Sequence, residues 1–331
     1  MKTRNTSFEL LRIICMFMIV FYHIFDKAFG TIVENSAGYR TLLIPMHIPV
    51  VCFVLISGYF GIKFSFRKVI SFFAQILFYN VLCFVVCSVI TESFTINELL
   101  LSFLPLAHNQ DLWFVRTYMI LLLITPIINK YIETTPPNQF KIMCAILAFI
   151  TIYLGIKSDD PSLNGGKNVV NFIFIYFLGH GIREKFFFPN FSLSFWMIMY
   201  FAFNIILCSI YYLSFGHGLS NTIYHWGWGY NSPLLIINAM LFFMIFVNLK
   251  INSAKITKIA KSVFPIYLIH SNLHVQNILW PLVLKTSIVK NLLLSNILIT
   301  IVVLFICIVL DKILSPFYKG AVDLILKHRK E

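Results

Sequence analysis

The stretch that decides the fold is Leu10-Leu-Arg-Ile-Ile-Cys-Met-Phe-Met-Ile-Val-Phe-Tyr-His23, in which twelve of fourteen residues are apolar. With the residues on either side it runs from about 8 to 28, the length of an α-helix that crosses a bilayer core. The whole chain has this character, because 59% of its 331 residues are hydrophobic and 12% are charged. Water-soluble domains carry about 25% charged residues, so that class is excluded. We predict an all-α integral membrane protein.

Apolar runs bounded by charges, Pro, Gly and Asn predict about ten transmembrane helices. They lie near 8–28, 42–62, 69–90, 112–130, 139–157, 168–182, 192–213, 231–249, 262–282 and 291–312. No further soluble domain fits into the remaining residues. We therefore predict one membrane domain over 1–331 that ends in a short basic cytoplasmic tail over 313–331.

The positive charges predict the orientation of these helices. An N-terminus in the cytoplasm leaves eighteen of the 26 Lys and Arg residues on that side. Because cytoplasmic loops are enriched in Lys and Arg, both termini are predicted to be cytoplasmic. The same enrichment explains the net charge of +13, so we expect membrane lipids and no nucleic acid among the partners.

Arg12 and His23 are ionisable residues inside an apolar helix, which is unfavourable unless they face a cavity or a partner. Ten residues separate them. Eleven steps of about 100° complete about three turns, so the two side chains share one face, about 16 Å apart along the axis. Their presence also predicts a retained span and not a cleaved secretory leader. Either the pair marks a functional cavity, or Arg12 reaches the headgroups and His23 is a hydrogen-bonded core residue.

Two neighbouring charged features also have both a functional and a purely structural interpretation. Asp26, three residues after His23, either orients its imidazole or ends the helix in solvent. A cationic cluster follows the second predicted helix on the predicted cytoplasmic side, and it consists of Lys63, Arg67 and Lys68. These residues are either ordinary positive-inside anchors or, with Arg12, ligands of an anionic cosubstrate.

Polar and aromatic residues also collect at the predicted outer side. Aromatic faces with polar tips suit a sugar ring and equally a membrane interface, so both interpretations stay open. The residues concerned are His47, Trp113, Arg116, Tyr230 and Asn231, the last two in a loop over 214–233 that is rich in His, Gly and aromatic residues.

His270 lies in the middle of the ninth predicted helix, and His274 follows one turn later. Two His residues at this spacing can bind zinc, but no third ligand is evident. The seven cysteines lie in apolar runs without a CxxC pattern. We therefore predict a hydrogen-bonded or pocket-lining role for His270, packing roles for the cysteines, and neither a disulfide nor a metal site.

Several of these motifs together resemble the bacterial acyltransferase 3 family of membrane acyltransferases, over nearly the whole chain. The most specific match is Arg12 followed after ten residues by His23, and Pro49-Val-Val-Cys-Phe-Val-Leu-Ile-Ser-Gly-Tyr59 resembles the family's second helix. Shorter segments match in the expected order at 112–114, 230–233 and 266–270. The resemblance implies about ten transmembrane helices and transfer of acyl groups, most often acetyl from acetyl-CoA, to hydroxyls of surface or exported glycans.

On this resemblance we predict an O-acetyltransferase of the bacterial inner membrane, with acetyl-CoA as cosubstrate and a glycan or lipid-linked glycan as acceptor. His23 is the predicted general base, with Asp26 and Arg12 as the other catalytic residues. The predicted donor-binding residues are Arg12, Lys63, Arg67 and Lys68. The last three follow the second helix, where the family often has an Arg-x-x-Arg pair that this sequence lacks. The predicted substrate-binding residues are His47, Trp113, Arg116, Tyr230, Asn231 and His270.

Two alternatives stay open. The same scaffold can use another donor, such as succinyl-CoA. A multi-span transporter or flippase of glycan intermediates also contains intramembrane Arg and His residues. Transport is disfavoured because the sequence has neither paired broken helices in two matching halves nor an evident acidic proton relay.

Overall fold

A computed structural model gives the fold of residues 5–108, 112–155, 162–189, 191–217, 229–285 and 291–327. The regular structure throughout these ranges is helical, and they contain no β-strand. The prediction of an all-α protein is therefore confirmed for the described chain.

The helices follow one another with short connections. Up to residue 134 they are α1 (Thr6–His23), α2 (Gly30–Glu34), α3 (Ala37–Leu43), α4 (Pro49–Phe60), α5 (Phe66–Ile90), α6 (Ile96–Ser102), α7 (Pro105–His108) and α8 (Trp113–Thr134). Then come α9 (Pro137–Ala148), α10 (Val169–Arg183), α11 (Leu193–Ser214), α12 (Pro233–Asn248), α13 (Ala254–Ala260), α14 (Val263–His270), α15 (Leu273–Lys285) and α16 (Leu292–Lys327). π-Helical turns extend α1 over Ile24–Ala28 and α9 over Phe149–Tyr153, and a 3-10 turn over Ile44–His47 joins α3 to α4.

Six helical stretches of the described chain are long and apolar enough to cross a membrane. They are Thr6–Ala28, Ala37–Phe60, Phe66–Ile90, Trp113–Thr134, Leu193–Ser214 and Leu292–Leu324. Three shorter apolar helices are Pro137–Tyr153, Val169–Arg183 and Pro233–Asn248. Helices thus occur in all ten predicted regions, as expected of a multi-pass membrane protein. The number of ten crossings and the orientation of the termini stay predictions.

The ninth predicted helix, 262–282, is divided in two. α14 ends at His270 and α15 begins three residues later, because the polar residues between them bond to their neighbours instead of continuing the helix. The Asn272 amide nitrogen donates to Asn80 Oδ1 on α5 at 3.0 Å, and Asn272 Oδ1 accepts from the backbone N–H of His274. The break places His270 at a helix end inside the protein.

The last helix is longer than predicted. α16 continues past the predicted end at 312 to Lys327, so the predicted tail is helical over its described part. Two contacts attach this extension to α5. Gln75 Nε2 donates to the Tyr318 hydroxyl at 3.1 Å, and Arg67 forms an ion pair with Asp323 at 2.9 Å.

α4 and α10 approach until their backbones touch. A side chain at Gly58 would overlap the backbone carbonyl of Tyr176, and one at Gly179 would overlap that of Leu55. Small residues permit this close approach between membrane helices. The Tyr176 hydroxyl then accepts from the backbone N–H of Ile62 at 2.9 Å, which fixes the turn that leads to the cationic cluster.

α1 lies between two apolar clusters. One side, with Phe8 and Leu11, packs into a cluster formed with α4, α10 and α12. Another side, with Val20, packs into a cluster formed with α5, α14 and α16. Burial on both sides leaves a half-buried stripe that contains Arg12 and His23.

Candidate active site

Arg12 and His23 lie on one face of α1. The helix is continuous from Thr6 to His23, so the eleven steps between the two residues complete about three turns, as predicted. We call this face the α1 stripe. Its Arg12 end is the predicted cytoplasmic side of the bundle, and its His23 end is the predicted outer side.

Arg12 forms an ion pair that the sequence pattern did not reveal. Its Nη1 donates to Glu9 Oε1 at 2.7 Å, one helical turn back. The Glu9 side chain is 3% exposed and the Arg12 side chain 31%, so the guanidinium is the accessible member of the pair. Such pairing offsets the free energy of burying a carboxylate. The available signal was an acidic residue three positions before Arg12, on the same helix face.

His23 is held by a second imidazole. Its Nδ1 lies 3.1 Å from Nε2 of His270, the last residue of α14. His270 is fully buried, and its Nδ1 lies 2.6 Å from the carbonyl oxygen of Ile266. The hydroxyl of Ser271, at the break before α15, lies 3.2 Å from His270 Nε2. A residue predicted to line the pocket is therefore the direct partner of the predicted base.

Asp26 has other neighbours than the His23 ring. It is hydrogen-bonded to Tyr22, and its Oδ2 lies 3.9 Å from Lys27 Nζ, with both side chains of this ion pair exposed. Among the described contacts, no hydrogen bond joins Asp26 to His23. The reason is the π-helical turn over Ile24–Ala28, which widens the helix after His23 so that Asp26 no longer lies one α-helical turn beyond the imidazole. These contacts favour the alternative of a solvated helix end, and the orienting role of Asp26 stays a prediction.

His47 brings a third imidazole to the His23 end. It is buried in the 3-10 turn before α4, and its ring centroid lies 4.3 Å from that of Tyr22. His47 also interacts electrostatically with His23. Within the described residues, no three His, Cys, Asp or Glu side chains are arranged to hold a metal ion.

Aromatic side chains connect the two ends of the α1 stripe. Tyr118 on α8 interacts electrostatically with Arg12, and its hydroxyl is hydrogen-bonded to a serine of α4 at 2.9 Å. Phe114, one turn earlier, stacks on Tyr118 with ring centroids 5.8 Å apart and lies 5.9 Å from the Tyr267 centroid. Tyr267 lies 6.1 Å from the His270 ring. The sequence pattern singled out neither tyrosine as a site residue.

Trp113 and Tyr230, both predicted to bind substrate, lie side by side with ring centroids 5.1 Å apart and planes tilted by 34°. Lys167 Nζ lies 5.4 Å from the Trp113 centroid, a cation–π geometry, and Lys167 interacts electrostatically with His47. Burial raises the pKa of the Tyr230 hydroxyl above its ordinary value. We call Trp113, Tyr230 and Lys167 the aromatic platform.

Asn231 supports the aromatic platform and does not line it. It is 2% exposed, and its amide nitrogen donates to the Thr151 carbonyl at 2.8 Å. Its neighbour is fixed too, because the Tyr230 backbone N–H donates to the Gly165 carbonyl at 2.9 Å and Asn171 Nδ2 donates to the Tyr230 carbonyl at 3.1 Å. Asn231 thus has a structural role, since the side chain is buried and bonded to backbone, and its predicted substrate contact stays a prediction.

Arg116 is half-buried on α8, one turn after Trp113. In the described part of the chain its Nε is buried without a hydrogen-bond partner. The substrate contact predicted for Arg116 therefore stays a prediction. Residues 218–228, most of the loop 214–233, lie outside the described residues.

Two of the three residues of the cationic cluster, Lys63 and Lys68, contact each other. Lys68 Nζ donates to the Lys63 carbonyl at 2.8 Å, which holds the two lysines together at the start of α5. Arg67 instead pairs with Asp323 on α16, and both side chains of this pair are exposed. Among the described contacts, no hydrogen bond or ion pair joins the cluster to Arg12. The exposed positions agree both with anchoring and with binding of an anion.

A buried carboxylate lies apart from the α1 stripe, at Asp311 on α16. The Tyr79 hydroxyl donates to Asp311 Oδ1 at 2.7 Å, and the Ser262 hydroxyl donates to Oδ2 at 2.6 Å. These bonds connect α5, the start of α14 and α16. Asp311 thus has a structural role in the packing of these helices, and the sequence pattern did not reveal it. The seven cysteines are also structural, since six of them are buried and all are free thiols.

Comparison with known proteins gives a family. A protein-family model described as an acyltransferase domain, that of acyltransferase 3, matches residues 5–312. This range contains both ends of the α1 stripe, the aromatic platform and the cationic cluster. No curated protein and no solved structure matches the chain.

Proposed function

The chain belongs to the acyltransferase 3 family of membrane acyltransferases, and we propose that it moves an acetyl group from acetyl-CoA to a hydroxyl of a cell-surface or exported polysaccharide or of its lipid-linked precursor. The observation that carries this proposal is the hydrogen-bonded His23 imidazole on the same helix face as Arg12. Imidazole is suited to take a proton from a hydroxyl near neutral pH. A cation at the other end of the face is suited to a phosphorylated donor. We place the protein in the inner membrane of a bacterium.

In the proposed reaction the acceptor hydroxyl approaches Nε2 of His23, the ring nitrogen that is not bonded to His270. His23 takes the hydroxyl proton while the oxygen attacks the thioester carbonyl, so the O–C bond forms and an oxyanion develops. Collapse of this intermediate breaks the C–S bond. The CoA thiolate leaves and takes the proton from His23, which gives the acyl ester, free CoA and the neutral imidazole.

We place the donor at the Arg12 end of the stripe. Arg12, Lys63 and Lys68 are accessible cations on that side, and the phosphates of CoA bind such groups by charge-assisted hydrogen bonds. Arg67 can join them only by giving up its ion pair with Asp323. The acyl-bearing arm of CoA would then follow the aromatic side chains toward His23, about 16 Å along the helix axis.

We place the acceptor at the His23 end, on the aromatic platform. A sugar ring stacks well on aromatic faces, and the half-buried Trp113 and Tyr230 rings offer two of them close together. His47 and Arg116 complete the proposed acceptor-binding set as hydrogen-bond donors. Donor and acceptor would meet at His23, which is half-buried and therefore partly accessible.

The donor is tested with sealed membrane vesicles that contain wild type, His23→Ala or the control His274→Ala at matched abundance. Acetyl-CoA or succinyl-CoA, labelled in the acyl group, is added to inside-out and right-side-out vesicles, and label in glycan and lipid-linked fractions is measured. We expect labelling from acetyl-CoA in inside-out vesicles with wild type and His274→Ala, and none with His23→Ala.

Other results would revise or overturn the proposal. Labelling from succinyl-CoA alone would replace the donor and keep the reaction. Labelling only in right-side-out vesicles would contradict the orientation. No labelling from either donor in either orientation would contradict acyl transfer to glycans and favour transport.

A further inference from the structure

His270 sits where a side chain has little freedom. It is the last residue of α14 and is fully buried, with Tyr267 and His23 against its ring. The break that follows it is fixed by Asn272, bonded to Asn80, and by Gln276, whose amide nitrogen donates to the Ser271 carbonyl at 3.0 Å. The ring therefore faces His23 in one defined orientation.

The hydrogen bonds of His270 determine which of its nitrogens is protonated. A carbonyl oxygen only accepts, so Nδ1, at 2.6 Å from the Ile266 oxygen, must carry a hydrogen. In a neutral ring the other nitrogen, Nε2, is then an acceptor. A charged ring is disfavoured because no carboxylate contacts His270 among the described residues, and a buried charge needs such a partner.

This assignment fixes the His23 ring in turn. Its Nδ1 lies 3.1 Å from the acceptor Nε2 of His270, so Nδ1 of His23 must be the donor. The lone pair of His23 then lies on Nε2, which points away from His270. We infer that His270 is a positioning residue that holds His23 in the Nδ1-protonated tautomer, and, on the proposed function, presents Nε2 as the base.

The Ser271 hydroxyl takes part in the same hydrogen-bond arrangement. Its oxygen lies 3.2 Å from Nε2 of His270, so two donors share one lone pair. When His23 takes a proton and becomes an imidazolium, its Nδ1–H is the stronger donor and the Ser271 hydroxyl can turn away. The arrangement thus leaves the Nδ1–H of protonated His23 with a hydrogen-bond acceptor, the Nε2 of His270.

The tautomer can be measured without any reaction. We propose magic-angle-spinning NMR of ¹⁵N-histidine-labelled protein in lipid bilayers, with His23 signals assigned from their loss in His23→Gln. The expected spectrum shows His23 and His270 each protonated on Nδ1 and bare on Nε2. His270→Ala should give a mixture of His23 tautomers, whereas His274→Ala should remove only its own signals and leave those of His23 and His270 unchanged. His23 protonated on Nε2 in the wild type would overturn the inference.

The catalytic consequence is tested by kinetics in the same membranes. His270→Ala should lower kcat by about 10²-fold, the scale of general-base catalysis, with an unchanged KM for acetyl-CoA. His270→Gln, whose amide oxygen can accept from His23 near the former Nε2 position, should recover about tenfold of that loss. Equal losses in the two variants, or a raised KM with kcat unchanged, would show a merely structural role.

Failure of the inference and failure of the proposed function remain distinguishable. A wild-type protein that transfers no acyl group but shows the expected tautomer contradicts the function and leaves the histidine pair intact. An active wild type with the other tautomer contradicts the inference alone.

Discussion

The two ends of the α1 stripe are built in different ways. At the His23 end, the partner comes from α14, 247 residues further along the chain, and is fully buried. At the Arg12 end, Arg12 and Lys68 have local partners, because Glu9 lies three residues from Arg12 and Lys63 lies five residues from Lys68, and only Arg67 among the described cluster contacts has a distant one, Asp323 on α16. Proton transfer needs a fixed geometry, whereas binding of phosphates tolerates mobile cations. We therefore expect changes to the His23–His270 pair to act on kcat and changes at the Arg12 end to act on donor KM.

The largest expected effect is that of His23→Gln. Glutamine keeps a hydrogen-bonding side chain beside His270 but has no titratable nitrogen, so kcat should fall by about 10³-fold. The measurement is the rate of acetyl transfer to glycan in membranes of matched protein content, with His274→Gln as the control. Retention of more than a tenth of the wild-type rate would remove His23 from the chemistry.

The next effect concerns the ion pair at the other end. Arg12→Gln removes the guanidinium from the buried Glu9 carboxylate, so we expect destabilisation by about 3 kcal/mol, seen as a lower melting temperature in detergent. Loss of the guanidinium should also raise the KM for acetyl-CoA. The double variant Glu9→Gln/Arg12→Gln should recover the stability but keep this raised KM. Full recovery of activity in the double variant would mean that Arg12 serves only the fold.

A smaller effect is expected on the aromatic platform. Trp113→Ala removes one of the two neighbouring aromatic faces, so the KM for the glycan acceptor should rise about fivefold, the equivalent of about 1 kcal/mol. The KM for acetyl-CoA should not change, and Trp113→Phe should stay close to wild type because it keeps an aromatic face. An increase in donor KM alone would move the platform to the donor side.

The cationic cluster should show a graded and salt-dependent effect. Lys63→Gln and Lys68→Gln should each raise the KM for acetyl-CoA about threefold at low ionic strength, and the effect should shrink as salt screens the charges. Arg67→Gln should change it less, because Arg67 is engaged by Asp323. Salt-independent effects of equal size in all three would contradict binding of phosphates by exposed lysines.

The smallest effect is expected at Asp26. Asp26→Asn removes an exposed charge that contacts Tyr22 and Lys27, so kcat should stay within about twofold and stability within about 0.5 kcal/mol. The assay is the same acetyl transfer, run beside His270→Ala. A loss as large as that of His270→Ala would restore Asp26 as the residue that orients His23.

The positions of the helices were predictable because long apolar runs have few other ways to satisfy their backbone in lipid. The break at Ser271 and Asn272 was not, because two polar residues hardly change the mean apolarity of the run 262–282. The extension of α16 was missed for a related reason. Its charged and aromatic residues look like a surface tail until α5 supplies partners for Tyr318 and Asp323.

The candidate site shows the same contrast between features that a local sequence pattern contains and features that depend on how the helices pack. The shared face of Arg12 and His23 follows from helix periodicity alone, so it was predictable and is confirmed. His270 was recognised as a candidate, but its pairing with His23 depends on how α1 and α14 pack, which no local pattern contains. Asp26 was favoured by its spacing, and the π-helical turn over Ile24–Ala28 removed that advantage.

The most direct test is the acylation of surface glycans in cells, followed by mass spectrometry and NMR. Strains that lack the gene are compared with strains complemented by wild type, His23→Ala or His274→Ala at matched membrane abundance. We predict that an O-acetyl group disappears with the gene, returns with wild type and with His274→Ala, and stays absent with His23→Ala. Identical O-acylation in all strains would contradict acyl transfer to a surface glycan by this protein.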